Sequence, residues 1–175
     1  MSAVPIDTPR EVRAGEELEA SALAAWVARR FPALAGQPIT VRQFPSGHSN
    51  LTCLVTAGDS EMVLRRPPFG SQVKSAHDMG REFALLSALH GRFPVPRPLA
   101  LEEDAAVLGA PFYTMERVVG LIPRKTLGVP ADAATYGRLS DALVDTMVAL
   151  HAVDWRAAGL DALYRGEGFV RRQVE

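Results

Sequence analysis

Between Ile39 and Arg66 the chain runs through three β-prone segments separated only by short turns, and this stretch limits the fold more than any other. Ile39 to Phe44 and Leu51 to Thr56 are rich in β-branched and apolar residues, and Pro45-Ser46-Gly47-His48-Ser49-Asn50 between them reads as a small, polar hairpin tip. Gly58-Asp59-Ser60 is a tight turn into a third strand, Glu61 to Arg66, which puts Met62 and Leu64 on one face and Val63 and Arg65 on the other. Pro67-Pro68 closes that strand, because proline has no N–H to give a ladder.

Helical periodicity brackets this meander. From Glu16 to Phe31, Leu23, Trp26, Val27 and Phe31 recur at helical spacing, with Glu16, Glu17 and Glu19 expected in the first turn, where the helix dipole favours negative charge. Before it, residues 1–15 mix Pro5, Pro9 and charges without periodicity and are expected to form a poorly ordered leader. After the third strand a second helix is expected from about Ser75 to Leu89, with Glu82, Leu85, Leu86 and Leu89 on neighbouring turns of one side. The proline-rich connector Phe93 to Pro98 then leads to two further strand candidates, Leu99 to Glu102 and Phe112 to Val119. A long helix, about Ala131 to Val153, carries Leu139, Leu143, Met147, Leu150 and His151 along one stripe, and the boundary between the two parts of the chain falls near Gly120.

Composition narrows the function. The 175 residues are 47% hydrophobic and 22% charged, a soluble globular profile. A formal net charge of −1 without a basic block argues against nucleic acid as a partner. A single cysteine, Cys53, allows no internal disulfide, and no apolar run approaches the roughly 20 residues of a membrane span. A cytoplasmic setting without membrane association is the expectation. His48, His77 and His90 are scattered over different elements and do not suggest a metal site.

Four features carry chemistry in an order that reinforces each of them. The tip Ser46, Gly47, His48, Ser49 and Asn50 lets backbone N–H groups approach phosphate oxygens and adds hydroxyl and amide donors, although the same residues would serve an ordinary polar turn. Arg65 ends an apolar strand as a cation suited to a nucleotide's phosphates; the alternative is a solvated arginine pair with Arg66. Glu82, on the inward side of the second helix, would fix Arg65, or else pair along its own helix. In Phe112 to Gly120, the backbone of Glu116 and Val118 would read the edge of adenine while Met115 packs behind the ring; otherwise this is simply a core strand.

Five strands with one helix inserted after the third, followed by a linker into a helical segment, form the layout of a protein-kinase-like nucleotide-binding lobe. The sequence resembles the aminoglycoside phosphotransferase and choline kinase-like superfamily, in the branch related to the kinase-like domain found beside acyl-CoA dehydrogenases. The stretches that carry the resemblance are Phe44 to Thr52, Val63 to Gly70, Ser75 to Glu82, Gly109 to Val118 and Leu150 to Trp155.

The resemblance implies an α+β fold: a five-stranded antiparallel sheet with one inserted helix as the N-lobe over residues 16–119, then over residues 120–175 the linker and the beginning of an incomplete helical C-lobe. It places Arg65 at the usual lysine position. It implies ATP and magnesium as cofactors and an unidentified small-molecule hydroxyl as acceptor. The family's His-Gly-Asp catalytic loop and later magnesium-binding aspartate have no counterpart up to Glu175, so the magnesium ligands are expected downstream and no catalytic or metal-binding residue is assigned. His151-Ala152-Val153-Asp154 is not that loop; His151 is expected to pack and Asp154 to close the helix. The expectation is nucleotide binding without turnover by this chain. The alternative is a non-catalytic interaction module that assembles through its C-terminal helix, as a homodimer or with a missing C-lobe.

Overall fold

Gly58 sits at the centre of the architecture. Its φ of +57° is open to glycine at little cost, and a Cβ there would lie 2.7 Å from the Gln37 side chain. The turn it makes folds β2 (Leu51–Ala57) back onto β3 (Ser60–Arg66), so that Cys53 stands opposite Leu64 and Val55 opposite Met62. This computed structural model describes residues 8–45, 50–70, 78–122, 127, 129–164, 168, 171 and 174. Outside β2 lies β1 (Ile39–Gln43); on the far side of β3 comes β5 (Phe112–Met115) and then β4 (Pro98–Glu102), giving a fully antiparallel sheet in the order β1-β2-β3-β5-β4. Among the described residues this is the expected five-stranded sheet with one helix, α2 (Met79–Leu89), inserted after β3, and a long helix, α3 (Ala133–His151), following it.

The core lies on one face of the sheet. Leu23, Trp26 and Val27 of α1 (Ala20–Arg30) are buried against Val55, Ala57, Met62, Leu64 and Phe112, with Leu108 closing the end. Trp26 meets the rings of Phe31 and Phe112 edge-on at 5.8 and 4.8 Å, a geometry favoured by the aromatic quadrupole. Its Nε1–H donates to the Glu102 carboxylate at 2.8 Å, and Arg29 approaches the same oxygen at 3.3 Å. Alternation along β3 therefore sends Met62, Leu64 and Arg66 to the α1 side and leaves Val63 and Arg65 for the other face. Burial pushes the Cys53 thiol up to about 11, so it packs as a small apolar side chain.

Glu102 makes stability depend on acid. The Asp104 N–H, then Trp26 and the two arginines of α1, favour its carboxylate and hold it below its ordinary value against the opposing effect of burial. A carboxylate held low in the folded state stabilises fully above its unfolded value, about 4.3, and that contribution disappears as pH falls through the lowered folded value. Melting temperatures measured between pH 6 and pH 3 are expected to fall less steeply for Glu102→Gln than for the unsubstituted chain. Identical acid limbs would contradict this role.

Element ends differ from the sequence expectation for local reasons. α1 begins at Ala20, not Glu16, because Glu19 caps it by accepting the Ser21 and Ala22 N–H groups. Glu16 and Glu17 therefore lie outside the first turn, where Glu16 pairs with Arg13 and Glu17 accepts the Gly15 N–H. The stretch before α1, expected to lack order to about Gly15, is tied to the sheet from Arg10, which forms an antiparallel bridge with Gln43. β5 stops at Met115 rather than Val119, since the chain leaves the ladder once the Glu116 N–H has bonded to the Arg97 carbonyl. The expected α2 start at Ser75 lies outside the described residues, and the described helix begins at Met79 with Asp78 accepting the Arg81 N–H. α3 starts two residues later than expected because Asp132 caps it through Thr135.

α3 differs most from a packed element. None of its residues is buried, and Leu143 and Val148 are 63% and 62% exposed. His151, expected to pack, is exposed for the same reason: nothing in the described chain covers this helix. Asp154 follows the helix, where its carboxylate accepts the Arg156 and Ala157 N–H groups. No described helix is long and apolar enough to cross a membrane.

Candidate nucleotide site

The site is assembled on the other face of the sheet, the one that carries Val63, Arg65 and Tyr113. Arg65 points there by alternation, and the antiparallel register sets it opposite Tyr113 of β5. α2 crosses this face, and the Phe83 ring lies 6.0 Å from that of Tyr113. One turn into α2, Glu82 reaches back to the sheet, and its Oε2 accepts the Arg65 Nε–H at 2.8 Å. Both side chains are 32% exposed, so solvent screens the pair and its value lies more in orientation than in stability. Arg65 and Glu82, far apart in sequence, thus meet as expected.

Two further groups meet the same carboxylate. The Tyr113 hydroxyl donates to Glu82 Oε2 at 3.0 Å, and the Asn50 Nδ2–H donates to Oε1 at 3.1 Å. Asn50, just before β2, is 4% exposed, and its amide nitrogen engages the carboxylate inside the fold. Burial, reinforced by the Glu82 charge, holds the Tyr113 phenol well above its ordinary value, which keeps it a neutral donor. Ser46, Gly47, His48 and Ser49, the other tip residues singled out by sequence, lie outside the described residues.

Beside Arg65 opens a cleft of about 280 Å³. Phe44 and Thr52 wall it from the hairpin, Val63 and Arg65 from β3, and Met115 to Gly120 from the linker. Met115, Glu116 and Val118, the adenine-reading candidates, thus share one cavity with the phosphate-binding candidate. Ion pairs brace the linker on both sides, Arg117 to Glu61 at 2.6 Å and Arg97 to Glu116 at 3.7 Å. The Glu116 N–H is committed to the Arg97 carbonyl at 2.8 Å, so the group Glu116 can offer a ligand is its carbonyl.

Arg66 has a different task. It is buried, donates to the Leu108 and Pro67 carbonyls, and stacks 3.8 Å from the Phe69 ring centroid. It lines a separate, larger hollow of about 590 Å³ against the start of α2 and the β4–β5 loop. The smaller cleft is the candidate site because the Arg65–Glu82 pair lies there. Among the described residues no three His, Cys, Asp or Glu side chains converge in a way that could hold a metal ion.

Sequence reasoning missed Tyr113 and the tie from Asn50 to Glu82. In the sequence Tyr113 is one residue of the Phe112 to Val119 strand candidate and carries no separate signal beyond its alternation with Met115. Reading that alternation requires knowing that β5 lies beside β3.

An antiparallel five-stranded sheet with an inserted helix whose glutamate meets a strand-borne cation, beside a linker-walled cleft, defines a kinase-like lobe. The chain belongs to the phosphotransferase enzyme family (APH), which it matches over residues 40–175. It is 36% identical over 168 residues to acyl-CoA dehydrogenase family member 11 of Gallus gallus, covering 94% of this chain and 22% of that protein. The Rattus norvegicus protein of the same name is 39% identical over 137 residues, covering 78% and 18%. A crystallised protein from Ralstonia eutropha JMP134, which carries the provisional name aminoglycoside phosphotransferase, superposes with a TM-score of 0.70 at 30% identity, over 90% of this chain and 45% of that one. The chain thus spans about a fifth of the length of these dehydrogenase-family relatives.

Proposed function

We propose that this chain forms the ATP-binding part of a small-molecule phosphotransferase whose acceptor is a hydroxyl group. The observation that supports it most is the Arg65–Glu82 pair at 2.8 Å on the wall of the 280 Å³ cleft. Val63 and Met115 offer apolar surface to an adenine ring, the Glu116 carbonyl and Val118 N–H offer an acceptor and a donor to its edge, and Arg65 meets the phosphates. On this reading the base and the side chains that hold magnesium come from residues outside this chain. Magnesium would neutralise charge on the phosphates. Phosphoryl transfer depends on positioning and charge neutralisation, so this chain binds nucleotide without turning it over. We assign it to the cytoplasm on its composition.

A ligand that binds only the folded state stabilises it by mass action, by about 2.7 kcal/mol at a hundred times its dissociation constant, and so raises the melting temperature. A saturable rise with MgATP, without release of phosphate, is the expected result for this chain. A melting temperature that ignores MgATP at millimolar concentration would refute nucleotide binding. Robust turnover would refute the placement of the catalytic groups.

α3 supports a second reading, in which the chain is an interaction module. Leu139, Leu143 and Met147 are 44%, 63% and 51% exposed along one stripe. On the first reading the remainder of a helical lobe covers this stripe; on the second a copy of the chain does. Nucleotide-independent melting favours the second.

A further inference from the structure

Glu82 receives donors from three elements: Arg65 Nε–H from β3, the Tyr113 hydroxyl from β5 and the Asn50 amide from the hairpin. Donors on both oxygens fix the plane of a carboxylate, because rotating it would break a hydrogen bond on either side. Of these, the Tyr113 hydroxyl shares Oε2 with Arg65 and is buried, so it sets the direction from which Arg65 can approach. Arg65 answers with Nε alone. Its Nη1 and Nη2 make no hydrogen bond or ion pair among the described residues, while the residue lines the cleft.

A guanidinium carries five N–H donors, and one of them serves Glu82 here. Four remain on the planar terminal fork, whose spacing matches two oxygens of a phosphate. A lysine at this position would have to divide one nitrogen between Glu82 and the ligand. The side-on contact therefore has a consequence that the identity of the pair does not reveal.

We propose that Tyr113 is a positioning residue, whose hydroxyl holds Glu82 so that Arg65 is presented edge-on and meets a phosphate of the nucleotide as a two-pronged donor. Asn50 completes the clamp and links the hairpin tip to the same carboxylate. This rests on the nucleotide-binding reading above and extends it to a residue that touches neither ligand nor cleft.

Calorimetric titration of the chain with MgATP and with adenosine tests it, since adenosine lacks the phosphates. Tyr113→Phe keeps the ring against Phe83 and removes one hydrogen bond to a charged group, so MgATP should bind about tenfold more weakly with adenosine unchanged. In an Arg65→Ala background the same change should cost nothing further, because Tyr113 acts through Arg65. Unchanged MgATP affinity in Tyr113→Phe, equal weakening of both ligands, or additivity with Arg65→Ala would each overturn the inference while leaving nucleotide binding standing. Absence of MgATP binding by the unsubstituted chain would overturn both.

Discussion

Arg65→Ala is expected to weaken MgATP binding about a hundredfold and to shrink the ligand-induced rise in melting temperature to a small remainder. A unit charge about 4 Å from a phosphate charge is worth about 4 kcal/mol at an effective dielectric near 20, and desolvation of the arginine reduces that to roughly 2.7. The substitution leaves Glu82 with the Tyr113 and Asn50 donors, so the carboxylate is not orphaned and the fold should persist. Thermal denaturation with and without nucleotide separates the two effects. An unliganded melting temperature close to that of the parent chain, with a much smaller response to MgATP, is the predicted pair of results. Retained affinity would show that the phosphates lodge elsewhere.

Trp26→Ala acts on the opposite face of the sheet and should be the most destabilising single change. The side chain is fully buried, touches two other aromatic rings and donates to Glu102. Removing a buried aromatic of this size costs about 3–5 kcal/mol through lost transfer energy and the cavity left behind. That is a large share of the 5–15 kcal/mol that stabilises an ordinary domain. Urea unfolding at neutral pH should show the midpoint collapse. Trp26→Phe, which keeps a ring but leaves Glu102 without its indole donor, should cost about 1–3 kcal/mol. A loss below about 1 kcal/mol in the alanine variant would mean that α1 does not anchor the core.

Legibility in the sequence followed the range of the physics involved. Arg65 and Glu82 were readable because each follows a local period, two for the strand and 3.6 for the helix, and because two such periods constrain which faces meet. Tyr113 was not, since its partnership with Glu82 depends on β5 inserting between β3 and β4, and no local pattern encodes that strand order. The start of α1 departs from the sequence expectation because Glu19, a residue type seldom preferred at an N-cap, takes the cap through two backbone N–H groups. Periodicity marks the stripe on α3 as apolar, but it states which side of a helix wants cover and not whether the chain contains that cover.

Arg10 and Gln43 exchange backbone hydrogen bonds in both directions at 2.7 Å on the outer rim of β1. At the other rim β4 opens with Pro98, and its pairing with β5 slips between Pro98 and Ala100. A sheet finished in this way is a poor template for a strand from a neighbouring molecule. Should copies of this protein adhere to one another, the seam is to be sought on the helical surface that Leu143 and Val148 leave to water, with the hydrogen-bonded lattice of strands unchanged.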